Sequence, residues 1–313
     1  MRAQDPHPEL QAFIDQSADD PAFHELTVED ARAITNDVFT VDDPEPVETV
    51  EDHTIEGPGG DLSVRVYAPE SDGDLGVTMF FHGGGFISGS LESHDQLCRV
   101  LAKTAGIAVV AVDYRLAPEH PFPAAPKDAY AATEWVAENA SEFGGDADRL
   151  AVAGDSAGGN LAAVVAQMAR DRGGPELVYQ GLAYPTVSPD DDWESIKENG
   201  EGYFITKEDL AWFDDHYFVD DIDTRNIYGY PLLAADLEDL PPATVVTGGF
   251  DPLRDEGVAY AERLAGAGVS VEHRHYDDAI HAFLQLAPEP FEFERSREAF
   301  DDLASDLADA LTE

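Results

Sequence analysis

Short apolar runs alternate along this chain with segments of helical periodicity, and this alternation is the strongest constraint on its fold. Several of the middle runs are apolar throughout, which is typical of parallel strands covered on both faces. With helices between most of the runs, the pattern predicts one mostly parallel, doubly wound α/β sheet of eight strands. The predicted strands are residues 47–55, 62–67, 77–81, 108–112, 149–153, 178–183, 243–247 and 269–276.

Helical periodicity fills most of the intervals between these runs. Four apolar residues at positions i, i+3, i+4 and i+7 mark the buried face of one helix. They are Leu161, Val164, Val165 and Met168. Further helices are predicted at residues 93–105, 126–139 and 255–267, and over a C-terminal segment that contains Phe300, Leu303, Leu307 and Leu311. No internal repeat is present, so the 313 residues are interpreted as a single domain.

Acidic residues outnumber basic ones by 65 to 18, which gives the chain a formal charge of −47. This excess disfavours nucleic acids and anionic membrane surfaces as partners, because both are bound through positive charge. An acidic tail for a basic partner is one explanation, but the carboxylates are scattered rather than gathered in one block. We favour adaptation to a very salty cytoplasm, since at ~1 M salt the Debye length is about 3 Å and self-repulsion is screened.

The remaining composition argues against several other kinds of protein. The single cysteine, Cys98, cannot form an intrachain disulfide. The first residues lack the apolar core of a signal peptide, and no apolar run approaches the ~18 residues of a membrane span, so we expect a cytoplasmic protein. Paired cysteines and the H-E-x-x-H, P-loop and G-x-G-x-x-G motifs are absent, and neither a metal nor a cofactor is expected.

Two stretches fit the predicted sheet poorly. Residues 1 to about 45 are acidic with apolar positions at loosely helical spacing, and residues from about 186 to 230 are rich in aromatic side chains. The aromatic density has two interpretations, a local packed core or a helical cap whose inner face forms the substrate pocket. The two are compatible, because a cap must be packed before it can line a pocket. We expect a cap formed by both stretches.

The strongest local signal is the sequence Gly154-Asp155-Ser156-Ala157-Gly158, which follows a predicted strand and opens a predicted helix. In this context G-x-S-x-G is the nucleophile elbow, a turn that forces the serine backbone into a strained conformation. Neighbouring side chains must be absent there, and Gly154 and Gly158 leave that room. The helix start behind Ser156 also directs N–H groups toward developing negative charge. The motif predicts Ser156 as a nucleophile.

A second motif, His82-Gly83-Gly84-Gly85, directly follows the strand predicted at 77–81. Consecutive glycines let a backbone approach a ligand closely and direct two N–H groups at one point. Taken alone, three glycines are more often a flexible loop. At this position before an elbow, the motif resembles the H-G-G-G loop of lipases and esterases.

A serine hydroxyl becomes a good nucleophile only when a base takes its proton and an acid orients that base. In this topology the chain order is Ser, then Asp or Glu, then His, on loops after later strands. Asp251 follows the strand predicted at 243–247, and His281 follows the strand predicted at 269–276. They are therefore the predicted acid and base.

Other residues compete for both roles. Asp255 lies one turn beyond Asp251, where a residue in the first turn of a helix is the simpler interpretation. His273 and His275 alternate within a predicted strand and are interpreted as packing or surface residues. The other histidines fall in the wrong part of the chain order.

With these motifs, the chain resembles the hormone-sensitive-lipase-type carboxylesterases of the bacterial and archaeal family IV. The resemblance extends over nearly the whole chain, and Ala282 departs from it, since relatives commonly carry glycine after the histidine. The acidity would match a haloarchaeal member. The motifs that carry the resemblance are residues 82–86 (HGGGF), 113–119 (DYRLAPE), 154–160 (GDSAGGN), 251–255 (DPLRD) and His281.

The resemblance implies an α/β-hydrolase fold that cleaves esters of short to medium acyl chains through an acyl-enzyme, without a cofactor. The implied triad is Ser156, Asp251 and His281, and the implied oxyanion hole consists of the backbone amides of Gly84, Gly85 and Ala157. An amidase or a deacetylase of an acetylated metabolite is the alternative, because the same triad serves both reactions.

A non-catalytic small-molecule receptor on the same fold is a further alternative, as in the plant gibberellin receptors that resemble this family. Those receptors have lost the catalytic histidine, whereas His281 is present here. A homodimer would suit the fold, but no sequence feature requires one.

Overall fold

One eight-stranded sheet forms the centre of the computed structural model, which describes residues 1–312. The spatial order is β1-β2-β4-β3-β5-β6-β7-β8, in which β1 and β2 run antiparallel to their neighbours and the other neighbours pair in parallel. The predicted mostly parallel sheet of eight strands is confirmed. The strands are β1 (Thr49–Gly57), β2 (Gly60–Ala68), β3 (Leu75–Phe81), β4 (Ala108–Val112), β5 (Gly145–Asp155), β6 (Tyr179–Ala183), β7 (Ala243–Phe250) and β8 (Val271–Ile280).

Five strands are longer than the sequence predicted, and the extensions of β5 and β8 bear most on the site. β5 begins at Gly145 rather than at residue 149, and β8 continues past residue 276 to Ile280, directly before His281. The sequence indicated a loop at Asp277 and Asp278, because acidic residues are depleted in strands. The longer β8 carries His281 on a hydrogen-bonded strand end rather than on a free loop.

The extension of β8 is held by residues from both ends of the chain. The amides of Ala3 and His7 donate to the carbonyls of Asp277 and Asp278, each at 2.8 Å. Arg295 donates through Nε to the Asp278 carboxylate at 2.6 Å. The carbonyls of Asp277 and Asp278 and the Asp278 carboxylate therefore all have hydrogen-bond partners, which allows the strand to continue through two acidic residues.

Nine α-helices surround the sheet within residues 1–312. The helices predicted at 93–105, 126–139 and 255–267 are α3, α4 and α8, and each begins within two residues of its predicted start. No helix in the described part of the chain has the length and apolar composition needed to cross a bilayer. The helices are α1 (Pro8–Gln16), α2 (Val28–Phe39), α3 (Asp95–Ala105), α4 (Ala124–Asn139), α5 (Ala157–Arg172), α6 (Glu194–Asn199), α7 (Lys207–Tyr217), α8 (Arg254–Gly266) and α9 (Glu294–Thr312).

Two apolar cores lie on the two faces of the sheet. Helices α4, α5 and α8 pack on one face, and α3 and α9 pack on the other. Helix α5 corrects a sequence expectation, because its residues are buried on every side from Ala157 to Ala169 rather than on one face. It is covered by the sheet, by α4 and by the segment around Pro231, so more of its surface is buried than the single apolar stripe predicted.

The two stretches that fit the sheet poorly form separate helical layers. The first contains α1 and α2, and the second contains α6 and α7. The two layers are in contact through His24 and Asp209. The backbone nitrogen and Nδ1 of His24 each lie 2.8 Å from Asp209 Oδ1. Both stretches contribute walls to one cavity at the carboxyl ends of the parallel strands.

Candidate active site

Ser156 occupies a sharp turn between β5 and α5. Its backbone has φ 55° and ψ −116°, a conformation that costs a non-glycine residue about 1–3 kcal/mol. The turn closes tightly, because a Cβ added at Gly158 would lie 1.8 Å from the carbonyl oxygen of Phe81 at the end of β3. A Cβ at Gly154 would lie 2.4 Å from the Gly158 backbone. The two glycines therefore allow the contact between strand and elbow that presents Ser156.

His281 and Asp251 follow the ends of β8 and β7 and converge on Ser156. His281 Nε2 lies 2.9 Å from Ser156 Oγ, and His281 Nδ1 lies 2.9 Å from Asp251 Oδ2. Because an ionised carboxylate only accepts, Nδ1 carries the proton and Nε2 is left to accept from the serine hydroxyl. Asp251 is fully buried, and its Oδ1 accepts from the amide of Leu253 at 2.8 Å.

The residues that competed for these roles lie elsewhere. Asp255, in the first turn of α8, accepts from the amide of Ser195 at 2.8 Å and from Arg254 Nε at 2.7 Å. His273 and His275 both lie 2.9 Å from the Thr247 hydroxyl on the neighbouring strand β7. Burial and the neighbouring imidazole of His275 lower the pKa of His273.

The glycine loop after β3 forms part of the cavity wall beside Ser156. Gly84, Gly85 and Phe86 have φ values of 118°, 62° and 62°, three consecutive residues with positive φ. Gly84 and Gly85 line the cavity together with Ser156. Within residues 1–312 the amides of Gly84, Gly85 and Ala157 donate to no protein acceptor. An oxygen that becomes negative beside Ser156 could therefore receive these hydrogen bonds.

A buried polar network supports this glycine loop. The amide of Gly83 donates to Asp155 Oδ1 at 2.9 Å, and Gln285 Nε2 donates to Asp155 Oδ2 at 2.9 Å. His94 Nε2 lies 3.2 Å from the same carboxylate. Burial alone would raise the pKa of Asp155, but His94, His82 and the Gly83 amide together hold this pKa below its usual value. The sequence motif had indicated Asp155 and Gly83, whereas His94 and Gln285 carried no signal of this role.

His82 lies behind the same loop. Its ring stacks on Tyr114 at 4.2 Å, and its Nδ1 is 2.8 Å from the carbonyl of Gly83. Burial, and then the charge of His94, lower the pKa of His82 to about 3. His82 is therefore neutral, and it supports the loop through its contact with the Gly83 carbonyl and by packing on Tyr114.

The cavity above Ser156 has a volume of about 510 Å³ and mixes aromatic with acidic side chains. Asp214 on α7 accepts from the Tyr230 hydroxyl at 2.5 Å, and burial raises the pKa of Asp214 to about 6. Burial also raises the pKa of Glu256 well above its usual value, although the amides of Val187 and Ser188 partly offset this. Neither carboxylate was singled out by the sequence, since single acidic residues in so acidic a chain carry no distinguishing pattern.

The family model described as alpha/beta hydrolase fold matches residues 78–285, which include the glycine loop, the elbow, Asp251 and His281. The chain belongs to this family. It is 47% identical over 243 residues to the carboxylic ester hydrolase LipN of Mycobacterium tuberculosis, a match that spans 76% of this chain and 65% of LipN. It is 44% identical over 270 residues to the carboxylesterase NlhH of the same organism, with 83% of each chain covered.

A solved structure of a thermostable esterase from Pseudomonas putida gives the same result for the fold. It superposes with a TM-score of 0.94 at 37% identity, and the match covers 100% of both chains. The predicted α/β-hydrolase fold is confirmed. The predicted similarity to carboxylesterases is confirmed as well, and it extends to bacterial relatives that are named as esterases.

Proposed function

We propose that the protein is a serine carboxylesterase in which Ser156 is the nucleophile, His281 the general base and Asp251 the acid that orients it. One observation carries the assignment: a serine on a strained elbow lies 2.9 Å from an imidazole whose other nitrogen contacts a buried carboxylate. Relatives that cover most of this chain are named as carboxylesterases.

The geometry supports acyl transfer in two steps. His281 Nε2 accepts the Ser156 proton as Oγ attacks the ester carbonyl, and His281 then returns this proton to the leaving alcohol. Water repeats the sequence and releases the acid. Asp251 stays ionised and stabilises the imidazolium that forms in each step.

We assign oxyanion stabilisation to the amides of Gly84, Gly85 and Ala157. The carbonyl oxygen gains negative charge only as the tetrahedral intermediate forms, so these donors act mainly on the transition state. Loss of one such donor typically costs about 3–4 kcal/mol of activation free energy. Their lack of protein acceptors within residues 1–312 supports this role.

We assign residues 1–45 and 186–230 to a cap over the active site. Both stretches line the cavity that contains Ser156 and His281. The lining residues include Phe23, Thr35 and Phe39 from residues 1–45, and Ile205 and Phe213 from residues 186–230. A cavity of about 510 Å³ suits an ester with a short to medium acyl chain.

Substitution of the nucleophile tests the reaction. Ser156→Ala should abolish nearly all turnover of p-nitrophenyl butyrate and leave the circular dichroism spectrum unchanged. Ser296→Ala, which removes another buried hydroxyl that does not line the cavity, should keep wild-type turnover. Unchanged turnover by Ser156→Ala would refute the assignment. A faster reaction with a matched amide than with its ester would favour an amidase.

We also propose that the protein is adapted to high salt. The charge of −47 implies strong self-repulsion in dilute buffer, which ~1 M salt would screen. Dialysis into salt-free buffer should lower both the activity and the ellipticity, and return to concentrated KCl should restore them. Full activity and ellipticity without salt would contradict the proposal.

A further inference from the structure

The glycine loop that carries the Gly84 and Gly85 amides has an unfavourable backbone conformation. Phe86 follows these glycines at φ 62°, which costs an L-residue about 1–2 kcal/mol. Inside the loop, the amides of Ile87 and Ser88 donate to the Gly84 carbonyl at 3.1 and 2.9 Å. The carbonyls of Phe86 and Ile87 find their partners outside the loop.

Arg32 on α2 supplies one of those partners. Its Nε donates to the carbonyl of Ile87 at 2.8 Å, and its Nη2 donates to the carbonyl of Ala117 at 2.9 Å. The amide of Ala117 in turn donates to the carbonyl of Phe86 at 2.9 Å. One guanidinium therefore connects a helix outside the sheet to the loop that carries the oxyanion donors.

Glu119 fixes the orientation of this guanidinium. Arg32 Nη1 donates to Glu119 Oε1 at 2.9 Å, and Nη2 donates to Oε2 at 2.6 Å. The hydrogen bond from Arg32 lowers the pKa of Glu119 to about 2, so the carboxylate is ionised at neutral pH. Only the planar fork of arginine can bind this carboxylate in two places and still reach both carbonyls.

Helix α2 also contacts the space that the substrate would fill. Thr35 and Phe39, from the turns of α2 that follow Arg32, line the cavity. The Thr35 hydroxyl lies 3.3 Å from Ser88 Oγ, at the far end of the glycine loop. The same helix therefore contacts the glycine loop and lines the cavity that would hold the ester.

We propose that Arg32 is a positioning residue that holds the oxyanion loop in its reactive conformation and links that conformation to the docking of α2. The inference rests on the proposed esterase function. Arg32 does not touch the reacting atoms. It acts through the Ile87 carbonyl on the direction of the Gly84 and Gly85 amides.

Steady-state kinetics of Arg32→Gln test this role. The amides bind the transition state more tightly than the substrate, so we expect kcat for p-nitrophenyl butyrate to fall by about 10-fold or more while KM changes by less than about 3-fold. Arg32→Lys keeps the charge but loses the fork, and it should give an intermediate kcat. If Arg32→Gln does not fold, the lysine variant carries the same comparison.

Arg149→Gln is the matched control. Arg149 donates to two backbone carbonyls and one carboxylate, those of Leu311, Asp74 and Asp146, and its side chain is 28% exposed against 29% for Arg32. It lies within β5, seven residues before Ser156, and does not line the cavity. Arg149→Gln should therefore lower the melting temperature but leave kcat near the wild-type value.

Inhibitor binding separates an effect on the oxyanion from general loosening. A trifluoromethyl ketone forms a tetrahedral adduct whose oxygen occupies the oxyanion position, and its Ki should rise in Arg32→Gln in parallel with the fall in kcat. An unchanged kcat, a rise in KM alone, or an equal loss of kcat in Arg149→Gln would overturn the inference. Failure of the proposed function is a distinct result, because the wild-type protein would then lack esterase activity or Ser156→Ala would retain it.

Discussion

Asp214 provides the clearest quantitative prediction, because its carboxyl group is buried and burial disfavours the ionised form. It lies on α7 in the wall of the cavity, where burial raises its pKa to about 6 from the ordinary 3.8. The Tyr230 hydroxyl opposes this rise by donating to Oδ1 at 2.5 Å, and the neighbouring Asp215 adds to it. Above pH 6 the folded protein must therefore keep an unfavourably placed carboxylate ionised.

The magnitude follows from the difference between the two pKa values. A rise of about 2 pKa units corresponds to roughly 3 kcal/mol, at 1.36 kcal/mol per unit. The folded state binds the proton more tightly than the unfolded chain, so stability decreases as the pH rises through about 4 to 6, and the whole cost is present above that range. Asp214→Asn removes the charge and keeps an oxygen that can accept from Tyr230. It should raise the free energy of unfolding by about 2–3 kcal/mol at about pH 8 and by almost nothing at about pH 4.

Urea unfolding at constant high KCl measures this difference across the pH range. Asp215→Asn is the control, because it removes the same charge from the next position of α7, where the side chain is exposed. Because Asp215 makes the smallest of these contributions to the pKa of Asp214, the control should change the free energy of unfolding far less than Asp214→Asn at every pH. The reasoning is refuted if Asp214→Asn stabilises no more than Asp215→Asn, or if its gain is the same at low and high pH.

Three further predictions concern the elbow, the histidine loop and the charge of the substrate. Gly158→Ala should destroy most turnover and lower the free energy of unfolding by about 3 kcal/mol, because its Cβ would lie 1.8 Å from the Phe81 carbonyl; thermal unfolding and the ester assay check this. Ala282→Gly should stabilise the protein by about 0.5 kcal/mol in urea unfolding, because the backbone strain relieved at φ 61° slightly exceeds the entropy cost of glycine. A loss of stability would contradict this. The cavity mouth carries Asp220 and Asp221, so kcat/KM should favour neutral over anionic p-nitrophenyl esters, and the preference should shrink as KCl is raised; a constant ratio would argue against electrostatic selection.

The sheet and the convergence of Ser156, Asp251 and His281 could be predicted because each depends on local pattern and chain order. Parallel strands end at one edge of a sheet, so residues that follow β5, β7 and β8 lie at the same edge. The elbow also requires residues without a side chain beside the serine, and Gly154 and Gly158 indicated this requirement in the sequence. The competing Asp255, one turn into α8, contacts Ser195 and Arg254 instead of His281.

The supporting residues could not be predicted, because their contacts depend on how distant segments pack. Arg32 reaches Ile87 and Glu119 across separations of 55 and 87 residues, and no spacing rule connects them. His94 was excluded as the base by its place in the chain order. Chain order does not reveal which residues support a loop. The full burial of α5 was missed for a similar reason, since one apolar stripe does not reveal how many neighbours a helix has.

The amides of Ala3 and His7 reach the carbonyls of Asp277 and Asp278, directly upstream of His281. The beginning of the chain is thus part of the frame that aims the imidazole, although it lies more than 270 residues away in sequence. Trimming these residues, or fusing a bulky tag in front of them, would alter the catalytic geometry.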